Sequence, residues 1–117
     1  MKTIQELWAK GLAVLPLEVR GARPDTFSYT HKKSGQRVDV FLVRVSFEME
    51  SGGSFEAVEG SIGGPGDADV KIVPEWCVRG SRVLVGCSEV KRELRRLSVR
   101  VVDVAPVVED KAAGKKM

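Results

Sequence analysis

RVDVFLVRVSFEME, residues 37–50, is the stretch whose reading decides the fold. It carries two alternations that are out of phase with each other. Val38, Val40 and Leu42 mark one face, with Arg37 and Asp39 between them. From Phe41 onward the apolar face is Phe41, Val43, Val45, Phe47 and Met49, with Arg44, Ser46, Glu48 and Glu50 opposite. Period-two alternation marks a half-buried strand. A strand whose inward face changes partway needs either a β-bulge or a bend that carries it from one sheet into another. Both devices are typical of small closed barrels.

Working outward, Gly52-Gly53 is the strongest hairpin turn in the chain. It leads to a return strand over 55–62, with Phe55, Ala57, Val58 and Ile62 inward and Glu56 and Glu59 near solvent. On the other side, the polar turn Lys32-Lys33-Ser34-Gly35-Gln36 places Gly35 for a positive φ. Before it lies a long kinked limb. Residues 12–20 alternate, with Pro16 at a strand start or edge because it has no N–H for a ladder. Gly21 to Asp25 (GARPD) kinks the chain, and residues 26–31 put Phe27, Tyr29 and His31 on one side.

At the start, Thr3 and Glu6 form a capping box for a short helix, in which Ile4, Leu7 and Trp8 share a face and Trp8 docks on the barrel. Gly11 stops the helix. After the hairpin come the loop GGPGD, a short edge strand over 68–73 and a helical turn at Pro74-Glu75-Trp76-Cys77. A strand over 78–87 runs into a charged hairpin limb, 88–96. The last strand, 97–105, has Leu97, Val99 and Val101 inward and a second phase change near Asp103. Residues 108–117 read as a frayed tail.

The order strand, strand, strand, connector, strand, strand is that of an OB-fold, a five-stranded Greek-key barrel. The fold class is therefore mainly β, an OB-like barrel with a short N-terminal helix, forming one domain over 1–107. An SH3-like barrel and a β-sandwich fragment are the alternatives. The length of 117 residues, 43% apolar and 30% charged, fits one soluble domain with a single core. No apolar run approaches a membrane span, and no signal-peptide cleavage site is convincing, which points to a cytoplasmic protein. Cys77 and Cys87, without a C-x-x-C spacing or clustered histidines, read as reduced thiols rather than a disulfide or metal pair.

Catalytic signatures are missing. There is one histidine, no nucleophile motif and no phosphate-cradling loop. Glu59, Asp67 and Asp69 match no cation-binding loop. The expectation is a protein that is not an enzyme and uses no cofactor or metal.

Charge is segregated along the chain. Arg20, Arg23, Lys32, Lys33, Arg37 and Arg44 dominate 18–46. Residues 47–75 are acidic, and Arg79, Arg82, Lys91, Arg92, Arg95, Arg96 and Arg100 dominate 76–102. In an OB topology the limb between strands one and two and the limb between strands four and five rise beside one open face, where such barrels bind oligonucleotides. Cations there track phosphates while aromatic faces stack on bases. The expected contacts are Arg20, Arg23, Lys32, Lys33, Arg37, Lys91, Arg92, Arg95 and Arg96 to phosphate, and Phe27, Tyr29 and His31 to bases. The alternative for Phe27 and Tyr29 is the inward side of a strand, and for the arginine runs a solvated hairpin tip. Trp8 and Trp76 read as packing anchors.

The segment LPLEVRGARPDTFSYTHKKSGQRVDVFLVRVSFE, with its hairpin and the closing VRGSRVLVGCSEVKRELRRLSVRVVDVAPV, resembles the helix-destabilising single-stranded DNA-binding proteins of filamentous phages. More distantly it is similar to bacterial single-stranded DNA-binding proteins, through Arg79-Gly80-Ser81-Arg82-Val83. The resemblance is one of element order and texture over roughly residues 15–107. It implies a homodimer or higher homo-oligomer that coats single-stranded DNA during replication, through a basic-aromatic wing (26–37) and a second loop (88–96). The N-terminal helix departs from the phage pattern, and an acidic tail of the bacterial kind is lacking. The functional expectation is sequence-tolerant binding of single-stranded DNA, or of RNA. The alternative is a small β-barrel module for protein–protein interaction or assembly.

Overall fold

Strand β1 (Ala13–Thr30) and strand β2 (Arg37–Ser51) form the long arm on which everything else is hung. They are followed by β3 (Ser54–Gly63), β4 (Arg82–Glu93) and β5 (Arg96–Pro106), and preceded by helix α1 (Ile4–Ala9). The structure, a computed structural model, describes residues 3–64, 68–93 and 96–107. Arg95, part of the GGPGD loop and the tail at 108–117 lie outside the described residues. The five strands close into a barrel in the order β1-β2-β3-β5-β4. All neighbours are antiparallel except β3 and β5, which run parallel, Val58 beside Leu97 through Ile62 beside Val101. This is the OB-like Greek-key order, reached through the connector at 64–81.

The change of face in β2 is real, and no bulge within β2 causes it. Val40 and Leu42 are buried on one side; Val43, Val45 and Phe47 are buried on the other. Registers with β1 and β3 run unbroken through this point. The register shifts lie in the partners instead, at Arg20 between Val19 and Gly21, and around Cys87 in β4. The bulge at Arg20 keeps Val19 and Ala22 both turned inward and carries GARPD through as continuous strand rather than a turn. Leu42 and Val43 can both be buried because β2 passes from a two-stranded ribbon into the barrel wall. Residues 37–41 pair only with β1, whereas β3 joins from Leu42.

Valines dominate the core, in which Val19, Val43, Val45, Val58, Val85, Val99, Val101 and Val104 meet Leu17, Leu97 and Phe47. Branched side chains suit the pleated inner wall. Three sequence expectations are corrected here. Phe55 and Ala57 face outward, 67% exposure for Phe55 fixing the point, and the inward phase of β3 is Val58, Gly60 and Ile62. Gly60 belongs to that phase because the Phe47 ring lies over it; a Cβ would stand 2.5 Å from Phe47 Cε2. Residues 68–73 form no strand: Val70 and Val73 pack against the core, and the Val70 N–H donates to the Phe41 carbonyl. Finally, β4 starts at Arg82 rather than 78 and absorbs much of the charged hairpin limb.

Helix α1 keeps its capping box between Thr3 and Glu6. It docks through Leu7, fully buried, rather than through Trp8, which is 58% exposed. Leu7 and Leu12 close over Gly86, where a Cβ would lie 3.0 Å from each. Lys10 and Asp103 add an ion pair at 3.3 Å. Trp76 is the packing anchor expected, stacked on Phe47 with centroids 6.3 Å apart and planes 7° apart. Both cysteines are free thiols, and desolvation pushes each up to about 11. No helix among the described residues is long and apolar enough to cross a membrane.

Candidate nucleic-acid interface

Residues that stand opposite each other in register share a face of the sheet. On the outer face of the β1–β2 arm the pairs are Tyr29 with Val38, Phe27 with Val40, Asp25 with Leu42 and Arg23 with Arg44. The outer face therefore carries two aromatics near the ribbon's tip and two arginines where the ribbon enters the barrel. Phe27 is 36% exposed and Tyr29 40%, so neither is a core side chain. Each stands opposite a valine across the ribbon and is partly open to solvent.

Beside them lies a groove of about 300 Å³. Phe27, Leu42 and Arg44 line it from the arm, Ser61, Gly63 and Gly64 from β3 and its exit, and Glu89, Lys91, Ser98, Val99 and Arg100 from the β4–β5 hairpin. Thus β1 and the β4–β5 limb do meet over one surface, as the topology requires. Arg44 also borders a second hollow of about 250 Å³ with Arg23, Ser46 and Glu59. The Arg44 Nε donates to Asp25, whose carboxyl is held below its ordinary value by that bond and by the Thr26 N–H.

The other expected contacts divide. Lys32 and Lys33 are exposed at the turn that tips the ribbon. His31 is there too, its Nδ1 accepting the Ser34 N–H at 3.3 Å and its carbonyl accepting the Gly35 N–H. Arg37 lies on the back of the ribbon, donating to Asp39 at 3.1 Å and to the Ser28 hydroxyl at 3.2 Å. The Ser28 hydroxyl in turn donates to Asp39, and with Arg37 it lowers that carboxyl's pKa. Arg20 sits at the bulge and pairs with Glu18 at 2.9 Å. Arg92 lies on the opposite side of β4 from Lys91 and donates to Glu56 at 2.6 Å. Arg96 is exposed at the start of β5. The structure therefore gathers Arg23, Phe27, Tyr29 and Lys91 on or beside one face. Within the groove Lys91 pairs with Glu89 at 3.4 Å and Arg44 with Asp25, while Arg20, Arg37 and Arg92 are tied to carboxylates elsewhere.

Arg44, Arg100 and Glu89 are groove residues that the sequence reading did not single out as contacts. The signal was present for two of them: Arg44 and Arg100 both fall in the outward phase of their strands. Glu89 was masked by its basic neighbours.

A third hollow, of about 520 Å³, is lined by Glu18, Glu48, Glu50, Phe55 and Arg82 among others. It is the largest of these three, yet it lies at the far end of β2 from the ribbon. The six residue steps from Arg44 to Glu50 span about 20 Å of strand, beyond the ~8 Å over which charges act at physiological salt. The acidic end therefore leaves the basic groove electrostatically to itself. Among the described residues no three His, Cys, Asp or Glu side chains gather as metal ligands would.

No protein-family model matches the chain, and no curated protein or solved structure matches it significantly.

Proposed function

We propose that this barrel binds single-stranded DNA without catalysis and with little regard to sequence, coating or protecting it during replication. The observation that carries the reading is the outer face itself: solvent-open Phe27 and Tyr29 on the same side as Arg23 and Arg44, with Lys91 and Arg100 across the groove. Aromatic faces stack on any unpaired base, and the cations follow the phosphates. Lys32 and Lys33 extend the positive track to the ribbon's tip. Paired bases are already stacked and cannot be taken onto these rings, so duplex DNA is the poorer ligand. The resemblance to the helix-destabilising phage proteins points the same way and adds a homo-oligomer.

Fluorescence anisotropy with oligo-dT, the matching RNA and a duplex, each across a salt series, tests this. If five phosphates are neutralised, the log-affinity against log-salt slope is about −3.5, from roughly 0.7 per phosphate on a single strand. A flat salt response, or a duplex bound as tightly as oligo-dT, overturns the proposal.

A second reading, an interaction or assembly module, draws on Phe55, 67% exposed at the rim of the acidic hollow. It predicts no retention on single-stranded DNA and a stable complex with a partner protein.

A further inference from the structure

Glu89 is out of place in a polyanion site. Among the described residues lining the groove it is the one carboxylate, and it stands directly across from Arg100 in the β4–β5 register. It is half exposed and forms an ion pair with Lys91 at 3.4 Å. A carboxylate there repels every phosphate that the neighbouring cations attract. Its ion pair with Lys91 offsets that cost in the free protein; on a bound strand, hydrogen bonds accepted from a group on the strand itself would do the same.

The groove's other surfaces indicate what that is. Phe27 brings aromatic surface to the groove, and Gly63 and Gly64 bring backbone without side chains. A flat ring can lie against such surfaces, and a nucleobase brings donors at its edge. Of the four bases, guanine alone presents two adjacent donors, N1–H and the N2 amine, matching the two oxygens of a carboxylate. Thymine places carbonyl oxygens on both sides of its one N–H, and cytosine and adenine set a lone pair beside their amine. We propose that the groove takes one base of the bound strand and that Glu89 makes it prefer guanine. This rests on the single-strand reading above. When the base binds, Glu89 exchanges Lys91 for the guanine edge, and the released ammonium becomes available to the adjoining phosphate. One position then discriminates within an otherwise tolerant footprint.

The test uses oligo-dT and the same oligomer carrying one central dG or one central deoxyinosine, which lacks the N2 amine. Anisotropy titration of the full chain should show the dG oligomer bound roughly tenfold tighter than oligo-dT, the size of one good bidentate base contact. Deoxyinosine should lose most of that gain. Glu89→Gln, which removes the charge and turns one acceptor into a donor, should bind oligo-dT at least as well as the parent and lose the dG preference. Circular dichroism checks that this exposed substitution leaves the fold intact, and the deoxyinosine comparison stands without any variant. Tight binding of dG and dT oligomers alike overturns this inference and leaves the single-strand reading standing. A dG preference that survives in Glu89→Gln also overturns it. No binding of any oligomer overturns both.

Discussion

One absent carbon atom at Gly60 governs how the barrel is filled. The Phe47 ring occupies the space that a Cβ at Gly60 would need, 2.5 Å from its Cε2, and the ring is itself buried in the core with Trp76 lying parallel to it. Gly60→Ala should therefore cost about 1–3 kcal/mol, the usual range for overpacking a filled core. Urea denaturation followed by tryptophan fluorescence would measure it, and Phe47→Leu in the same chain should recover part of the loss. A substitution with no effect would mean that the ring has room to slide. This contact also explains why β3 was misread in the sequence. Phe55 and Ala57 look like core residues, yet the inward phase belongs to Gly60, a position that alternation patterns count as empty.

At the scale of elements, the ribbon formed by residues 26–30 and 37–41 pairs with no third strand, so its exposed side chains, unlike buried Val40, can be altered at little cost to the barrel. Tyr29→Ala should leave the melting temperature nearly unchanged. On the proposed function it should weaken binding to oligo-dT by roughly 5-fold to 150-fold, from about 1–3 kcal/mol per stacked base. An unaltered affinity in that titration would confine Tyr29 to holding Val38 in place. The ribbon, the hairpin at Gly52-Gly53 and the double phase of β2 were legible in the sequence because turns and alternation are local. The bulges were not, since a register shift at Arg20 or Cys87 is fixed by what the partner strand does. The helix contact was half legible: spacing put Leu7 and Trp8 on one face, but only packing over Gly86 decides which of them is buried. The meeting of Phe27 with Lys91 was inferred from topology. Which arginines would be drawn off by Glu18, Asp39 and Glu56 depends on cross-strand neighbours that no linear pattern displays.

For the whole molecule, the outer side of β2 runs from Val38 and Val40, opposite Tyr29 and Phe27 of β1, through Arg44 and Ser46 to Glu48 and Glu50, so the β1–β2 arm carries a basic-aromatic end and an acidic end. The core beneath sets a pH limit. Cys77 and Cys87 have ordinary values of 9.0 raised to about 11 by burial. Between those limits the unfolded chain has given up thiol protons that the folded chain still holds, so stability falls as pH rises. Chemical denaturation between pH 8 and pH 11 should show this loss. A variant with both cysteines changed to alanine should show a shallower decline than the parent over the same range. Equal slopes would assign the alkaline loss to other groups.

The parallel seam between β3 and β5 has a consequence for how the chain reaches this shape. β1, β2 and β3 are joined by short turns and can zip up from local contacts. The seam, by contrast, brings Val58 beside Leu97, and the β1–β4 pairing brings Ala13 beside Cys87. Pairings of such long sequence separation form slowly, because the chain must lose loop entropy before it gains contacts. During synthesis the three-stranded meander must wait for β4 and β5 with both of its edges open, the condition in which strands recruit other chains. Closure then removes both edges within a single late stage. The interval before it, more than the finished barrel, is where this protein is most exposed to aggregation.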